Sequence, residues 1–102
     1  MVVPLHPGDG PRRVLLVEDD DGDAFLVREL LAEVDPAVLL TVVDSVDRVV
    51  RDVDLERFDC VLLDMNLPGT TGLDGLRAVL RADPGAAVCV LTGLDDEWPT
   101  TL

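Results

Sequence analysis

The sequence contains no lysine. All eight basic residues are arginines, set against 21 acidic residues, and the formal net charge is −13. Binding to a phosphate backbone depends on basic side chains that displace counterions, so a chain this acidic is expected to bind neither nucleic acid nor an anionic membrane directly. Cysteine is scarce as well: Cys60 and Cys89 both lie inside apolar runs, where a thiol acts as a small hydrophobe. Neither a CxxC spacing nor a metal-ligand cluster of the zinc type accompanies them. No run approaches the roughly 20 apolar residues of a membrane span, and the opening MVVPLHPGDGPRR lacks the apolar core of a secretory signal. A reducing cytoplasm is the expected setting. At 102 residues there is room for one globular domain, which excludes a multidomain enzyme.

Prolines and glycines mark residues 1–12 as a flexible lead-in, and His6 within it reads as a solvated tail residue rather than a ligand. A regular alternation then begins. Val14-Leu15-Leu16-Val17 is a continuous apolar run that stops at Glu18-Asp19-Asp20-Asp21, the pattern of a strand buried on both faces. Ala24, Val27, Leu30, Leu31 and Val34 recur at helical spacing, with Asp21 or Asp23 as cap and Asp35-Pro36 as stop. A second run, Val38 to Val43, precedes a helical face of Val46, Val49, Val50 and Val53, with Asp44 or Ser45 as its cap. Cys60-Val61-Leu62-Leu63 closes on Asp64, and after a Pro68-Gly69 turn Leu73, Leu76, Val79 and Leu80 mark a third helix. Ala87 to Leu91 is the fourth strand. The order βαβαβαβ with apolar strands calls for a parallel sheet covered on both faces. After Thr92-Gly93 the pattern stops, because Pro99 and Thr100-Thr101 interrupt any helix that Leu94-Asp95-Asp96-Glu97 would open.

In an open parallel sheet all strands end at one edge, where ligands gather. Glu18 and Asp19 follow the first strand and Asp64 ends the third. If those strands are neighbours, about 4.8 Å apart, their carboxylates can share one cation. Clustered carboxylates repel one another, a cost that a divalent ion removes, and magnesium suits an all-oxygen site beside a phosphate. Asp20, Asp21 and Asp23 precede a helix and read as cap and loop acids. An EF-hand register on Gly22 fails, since Val17 and Arg28 fall where carboxylates are required. Asp64 is placed to attack phosphorus as a nucleophile, and the Thr92 hydroxyl, closing the fourth strand, to donate to a phosphoryl oxygen. A dehalogenase-type phosphatase would need an acid two residues after its nucleophile, and Asn66 occupies that position.

The linked motifs VLLVEDDD, VLLDMNLPGTTGL and VCVLTG resemble the receiver domain of bacterial two-component response regulators, over about Arg13 to Glu97. The resemblance implies the α/β CheY- or flavodoxin-like open sheet with strand order 2-1-3-4. It places the acidic pair on Glu18 and Asp19, the phosphoacceptor on Asp64, a backbone-carbonyl metal ligand on Asn66 and the switch hydroxyl on Thr92. Pro68-Gly69 and Gly72 match the loop after the phosphorylation site. Magnesium is the implied cofactor and a sensor histidine kinase or phosphotransfer protein the implied donor; such a module is not an enzyme.

Beyond Glu97 the family continues with a helix, a fifth strand ending in lysine and a closing helix, roughly 30 residues in all. The sequence therefore predicts an incomplete receiver at 13–97, lacking the fifth strand and final helix, and a divergent tail at 98–102. Two expectations follow: one face of the first and third strands is uncovered, and the fourth strand is an open edge, both inviting self-association. An interaction module that works without phosphorylation, or a truncated fragment of a longer regulator, is the alternative reading.

Overall fold

The apolar runs become strands of one parallel sheet in the computed structural model, which describes residues 11–65, 67 and 73–91. The strands are β1 (Arg13–Val17), β2 (Leu39–Val43), β3 (Cys60–Asp64) and β4 (Val88–Leu91), and the helices are α1 (Asp21–Val34), α2 (Val46–Asp52) and α3 (Asp74–Ala82). A 3-10 turn at Leu55–Arg57, absent from the sequence reading, leads into β3. The sheet order is β2-β1-β3-β4, as the resemblance implies, with Val14 to Val17 of β1 in register with Cys60 to Leu63 of β3. Among the described residues the sheet has these four strands and no fifth. The lead-in through residue 10, Asn66, the Pro68-Gly69 turn, Gly72 and everything from Thr92 onward lie outside the described residues. No helix among those described is long and apolar enough to cross a membrane.

Side chains alternate across the sheet with period two. Leu15, Val17, Val61 and Leu63 point to one face and pack with Val46 and Val49 of α2, Val79 of α3 and Leu55. Val14, Leu16, Cys60 and Leu62 point to the other and pack with Val27, Ala24 and Leu31 on α1. The expectation of an uncovered face on the central strands is thereby corrected: Leu16 and Leu62 are 0% exposed. β1 and β3 are shielded laterally by β2 and β4, and α1 lies over their second face. Exposed apolar side chains lie on α1 and, singly, at Leu39, Val50 and Leu73; Leu30, Val34, Val50 and Leu73, expected on core-facing helical stripes, are solvent-exposed.

Local chemistry sets the element ends. The cap of α1 is Asp20, not Asp21 or Asp23: its extended backbone lets the carboxylate accept the Asp23 N–H at 2.8 Å. Ser45 caps α2 in the same way, accepting from the Arg48 N–H at 3.2 Å. Asp20→Ala is expected to cost about 1 kcal/mol of stability and to leave Mg²⁺ affinity within a factor of about two, because this carboxylate serves the helix rather than the cluster described below. Urea denaturation and a Mg²⁺ titration of the same variant would check both halves; a large loss of affinity would contradict the assignment.

Cys60 is buried, and both thiols are free. Desolvation first, then the charges of Cys89 and Asp59, push the Cys60 thiol above its ordinary value of 9.0. The folded state thus holds this proton more tightly than the unfolded state. Its contribution is fully present below the unfolded value and is lost as pH rises through the folded one. Lysine and tyrosine are absent, so neither side chain overlaps the Cys60 thiol in this range. The urea midpoint should stay level near neutral pH and fall as pH climbs past 9.0, with a shallower fall in Cys60→Ala.

Candidate metal and phosphoryl site

Parallel strands bring their carboxyl ends to one edge, and the ladder continues one residue past the apolar runs there. The Glu18 N–H donates to the Val43 carbonyl at 2.9 Å, which fixes the backbone of Glu18 against β2. On the other side Asp64 is in register with Leu91, and the Met65 N–H donates to the Leu91 carbonyl at 3.0 Å. Asp64, the last residue of β3, is therefore held in the ladder with β4 instead of on a free loop. Both side chains are buried, at 2% exposure each, whereas Asp19 is exposed.

One carboxylate oxygen from each of Glu18, Asp19 and Asp64 lies within 4.8 Å of the other two. The three acids singled out from the sequence thus converge. The other acids of the run have separate work: Asp20 caps α1, and its N–H donates to Glu18 Oε2 at 3.2 Å, tying the start of the helix to the cluster. Asn66 and Thr92 lie outside the described residues. Sequence reasoning missed the carbonyls of Val43 and Leu91 as positioning groups; being backbone, they leave no residue-type signal.

Three converging carboxylates raise the local negative potential, and two of them sit where water screens poorly. A hard divalent cation with oxygen ligands relieves that repulsion, and the donor set fits magnesium, which needs few protein oxygens and keeps several waters. The exposed third acid leaves the cluster open on one side. The arrangement can hold a cation and present a buried carboxylate to an incoming electrophile.

Comparison with known proteins agrees with the fold. The profile of the response regulator receiver domain matches residues 14–100. Response regulator GacA of Pseudomonas viridiflava is 32% identical over 91 residues, covering 88% of this chain and 42% of that protein, so the chain spans about two fifths of that relative's length. The non-phosphorylated HemR receiver domain from Leptospira biflexa superposes with a TM-score of 0.67 at 26% identity, over 80% of this chain and 64% of that one. The phosphorylated cyanobacterial phytochrome response regulator RcpA does so with a TM-score of 0.63 at 27% identity, over 81% and 66%. With the profile covering most of the chain and the strand order in agreement, this chain belongs to the response regulator receiver domain family.

Proposed function

We propose that the chain accepts a phosphoryl group on Asp64 from a histidine kinase or phosphotransfer protein and serves as a switchable signalling module, not as an enzyme turning over a substrate. The observation that carries this reading is the convergence of Asp64 with Glu18 and Asp19 at the carboxyl edge of the sheet. An Asp64 carboxylate oxygen attacks the phosphorus of a phosphohistidine. The new P–O bond forms as the P–N bond breaks, and the electron pair of that bond leaves on the imidazole nitrogen. Fixing Asp64 in the β3 ladder removes the cost of orienting it for attack. Glu18, Asp19 and Asp64, with the Asn66 carbonyl, would hold Mg²⁺. When bound, that ion offsets the charge of the carboxylates and of the transferred phosphoryl oxygens. The Thr92 hydroxyl, one residue past β4, would donate to a phosphoryl oxygen and so couple occupancy of Asp64 to the end of that strand. That a relative, RcpA, is known in phosphorylated form supports the reading, and the net charge of −13 favours a protein partner over nucleic acid or anionic lipid.

The test is intact-mass measurement after incubation with phosphoramidate and Mg²⁺. A single labile phosphoryl adduct is expected, absent from Asp64→Asn and suppressed by a chelator. Absence of the adduct from the unmodified chain, with its fold and Mg²⁺ binding intact, would overturn the proposal in favour of an interaction module that works without phosphorylation.

A further inference from the structure

Of the two lateral edges of the sheet, the one formed by β2 lacks the usual guards. Natural edge strands are blunted by lysine, proline, a bulge or an inward-pointing charge, each of which deters pairing with a further strand. From Ala37 to Val43 the sequence holds no charge and no proline, and β2 stays in unbroken register with β1, without a bulge. Among the described residues β1 is the only strand beside it. Backbone groups alternate along a strand between its two sides. The Leu39 N–H donates to the Arg12 carbonyl at 2.7 Å and the Val43 carbonyl accepts from the Glu18 N–H at 2.9 Å, so Leu39, Thr41 and Val43 bond inward to β1. Leu40 and Val42 therefore turn their backbone groups outward. The side chains of this edge are incompletely covered: Leu39 is 46% exposed, Thr41 is exposed, and Leu40 and Val42 are half-buried.

We propose that β2 pairs with β2 of a second copy, antiparallel about a twofold axis through Thr41, joining two four-stranded sheets into one. The outward groups select this register. With Thr41 on the axis, Leu40 stands opposite Val42 of the second copy, and each such pair exchanges both backbone hydrogen bonds. Between them the two Thr41 residues form the closer pair without backbone bonds, and Leu39 meets Val43. Each opposed pair within the strand is apolar or threonine, combinations that stabilise a sheet. A shift by two residues one way sets Asp44 against Leu40 inside the ladder. The opposite shift sets Val42 against Val38, whose N–H already donates to the Asp35 carbonyl. Charge admits the second copy as well: the nearest acid, Asp44, meets Arg48 of its own chain at 3.9 Å and falls opposite the uncharged Val38. A ladder of five residues buries an area at the low end for specific interfaces, so the dimer is weak and reversible. The inference does not rest on the phosphoryl chemistry, and Asp64→Asn should dimerise equally well.

Sedimentation equilibrium of the full chain is expected to show a concentration-dependent dimer. It should tighten as salt rises, since screening weakens the repulsion between two chains of net charge −13. Thr41→Lys and Thr41→Asp should each weaken it by at least about tenfold, because each sets like charges face to face on the axis. Neither should change the melting temperature of the dilute chain, the side chain being exposed. An equimolar mixture of the two variants should recover a heterodimer, as a contact between the two copies of position 41 requires. A chain still monomeric at about 1 mM would overturn the proposal, and so would a dimer indifferent to Thr41→Lys. Weakened homodimers with no recovery in the mixture would overturn the pairing through Thr41. A monomeric chain that binds a labelled peptide of alternating valine and threonine, read by fluorescence anisotropy, would assign the edge to a strand of another protein instead.

Discussion

Replacing Asp64 with asparagine is expected to stabilise the metal-free chain by about 1 kcal/mol while abolishing phosphoryl acceptance and most of the response to Mg²⁺. Two unit charges at the separation seen in the cluster repel by roughly 3 kcal/mol at an effective dielectric of about 20. Solvent at the exposed Asp19 screens part of this, and the amide must satisfy its own buried polar atoms, so the net gain is smaller. The same substitution removes one of the three cation-binding carboxylates and the proposed nucleophile. In the unmodified chain Mg²⁺ adds stability as RT ln(1 + [L]/Kd), about 2.7 kcal/mol at a hundred times Kd. Urea denaturation with and without Mg²⁺ should therefore show opposite responses: the variant is more stable without the ion, the unmodified chain more stable with saturating ion. A variant destabilised in chelator, or one that keeps the full Mg²⁺ gain, would contradict the repulsion argument.

Leu16→Ala should be the most damaging single substitution of the core, costing about 3–4 kcal/mol. Leu16 is fully buried on the central strand, with Val42 and Leu62 as its register partners on either side and α1 over its face. No neighbour can collapse into the space without breaking a ladder, so a cavity remains. A domain of this length has a total stability of roughly 5–15 kcal/mol, and the loss would leave a detectable unfolded fraction at the low end of that range. Leu30→Ala on the same chain should change stability by less than about 0.5 kcal/mol, because Leu30 is already half exposed. Circular dichroism during urea denaturation of both variants separates the cases; similar midpoints would mean that the burial pattern of α1 is misread.

The strands were legible because apolar runs ending in acids have few other uses, and the helix stops because Asp35-Pro36 and Asp83-Pro84-Gly85 break helices by their backbone chemistry. The cap of α1 was not legible within Asp19-Asp20-Asp21-Gly22-Asp23, since each carboxylate there has the composition of a cap. Only the backbone angles at Asp20 select it. The buried face of α1 was only partly legible. Ala24, Val27, Leu30, Leu31 and Val34 form one broad apolar arc, and the line of contact with a twisted sheet is narrower than the arc, which leaves Leu30 and Val34 outside it.

By itself the sequence determined the order of elements and which strands end in carboxylates, because both follow from local patterning and chain direction. Its spacing left open whether the first and third strands are neighbours; the resemblance, not the periodicity, supplied the order 2-1-3-4. The tertiary structure decided that Asp64 meets Glu18 and Asp19, through a β1–β3 register spanning more than forty residues of sequence. It also decided that Glu18 is buried while the adjacent Asp19 is exposed. The ladder hydrogen bond to Val43 holds Glu18 at the buried end of the sheet, whereas Asp19 follows where the chain bends away from the ladder and stays in water. No property of either residue alone could have distinguished them.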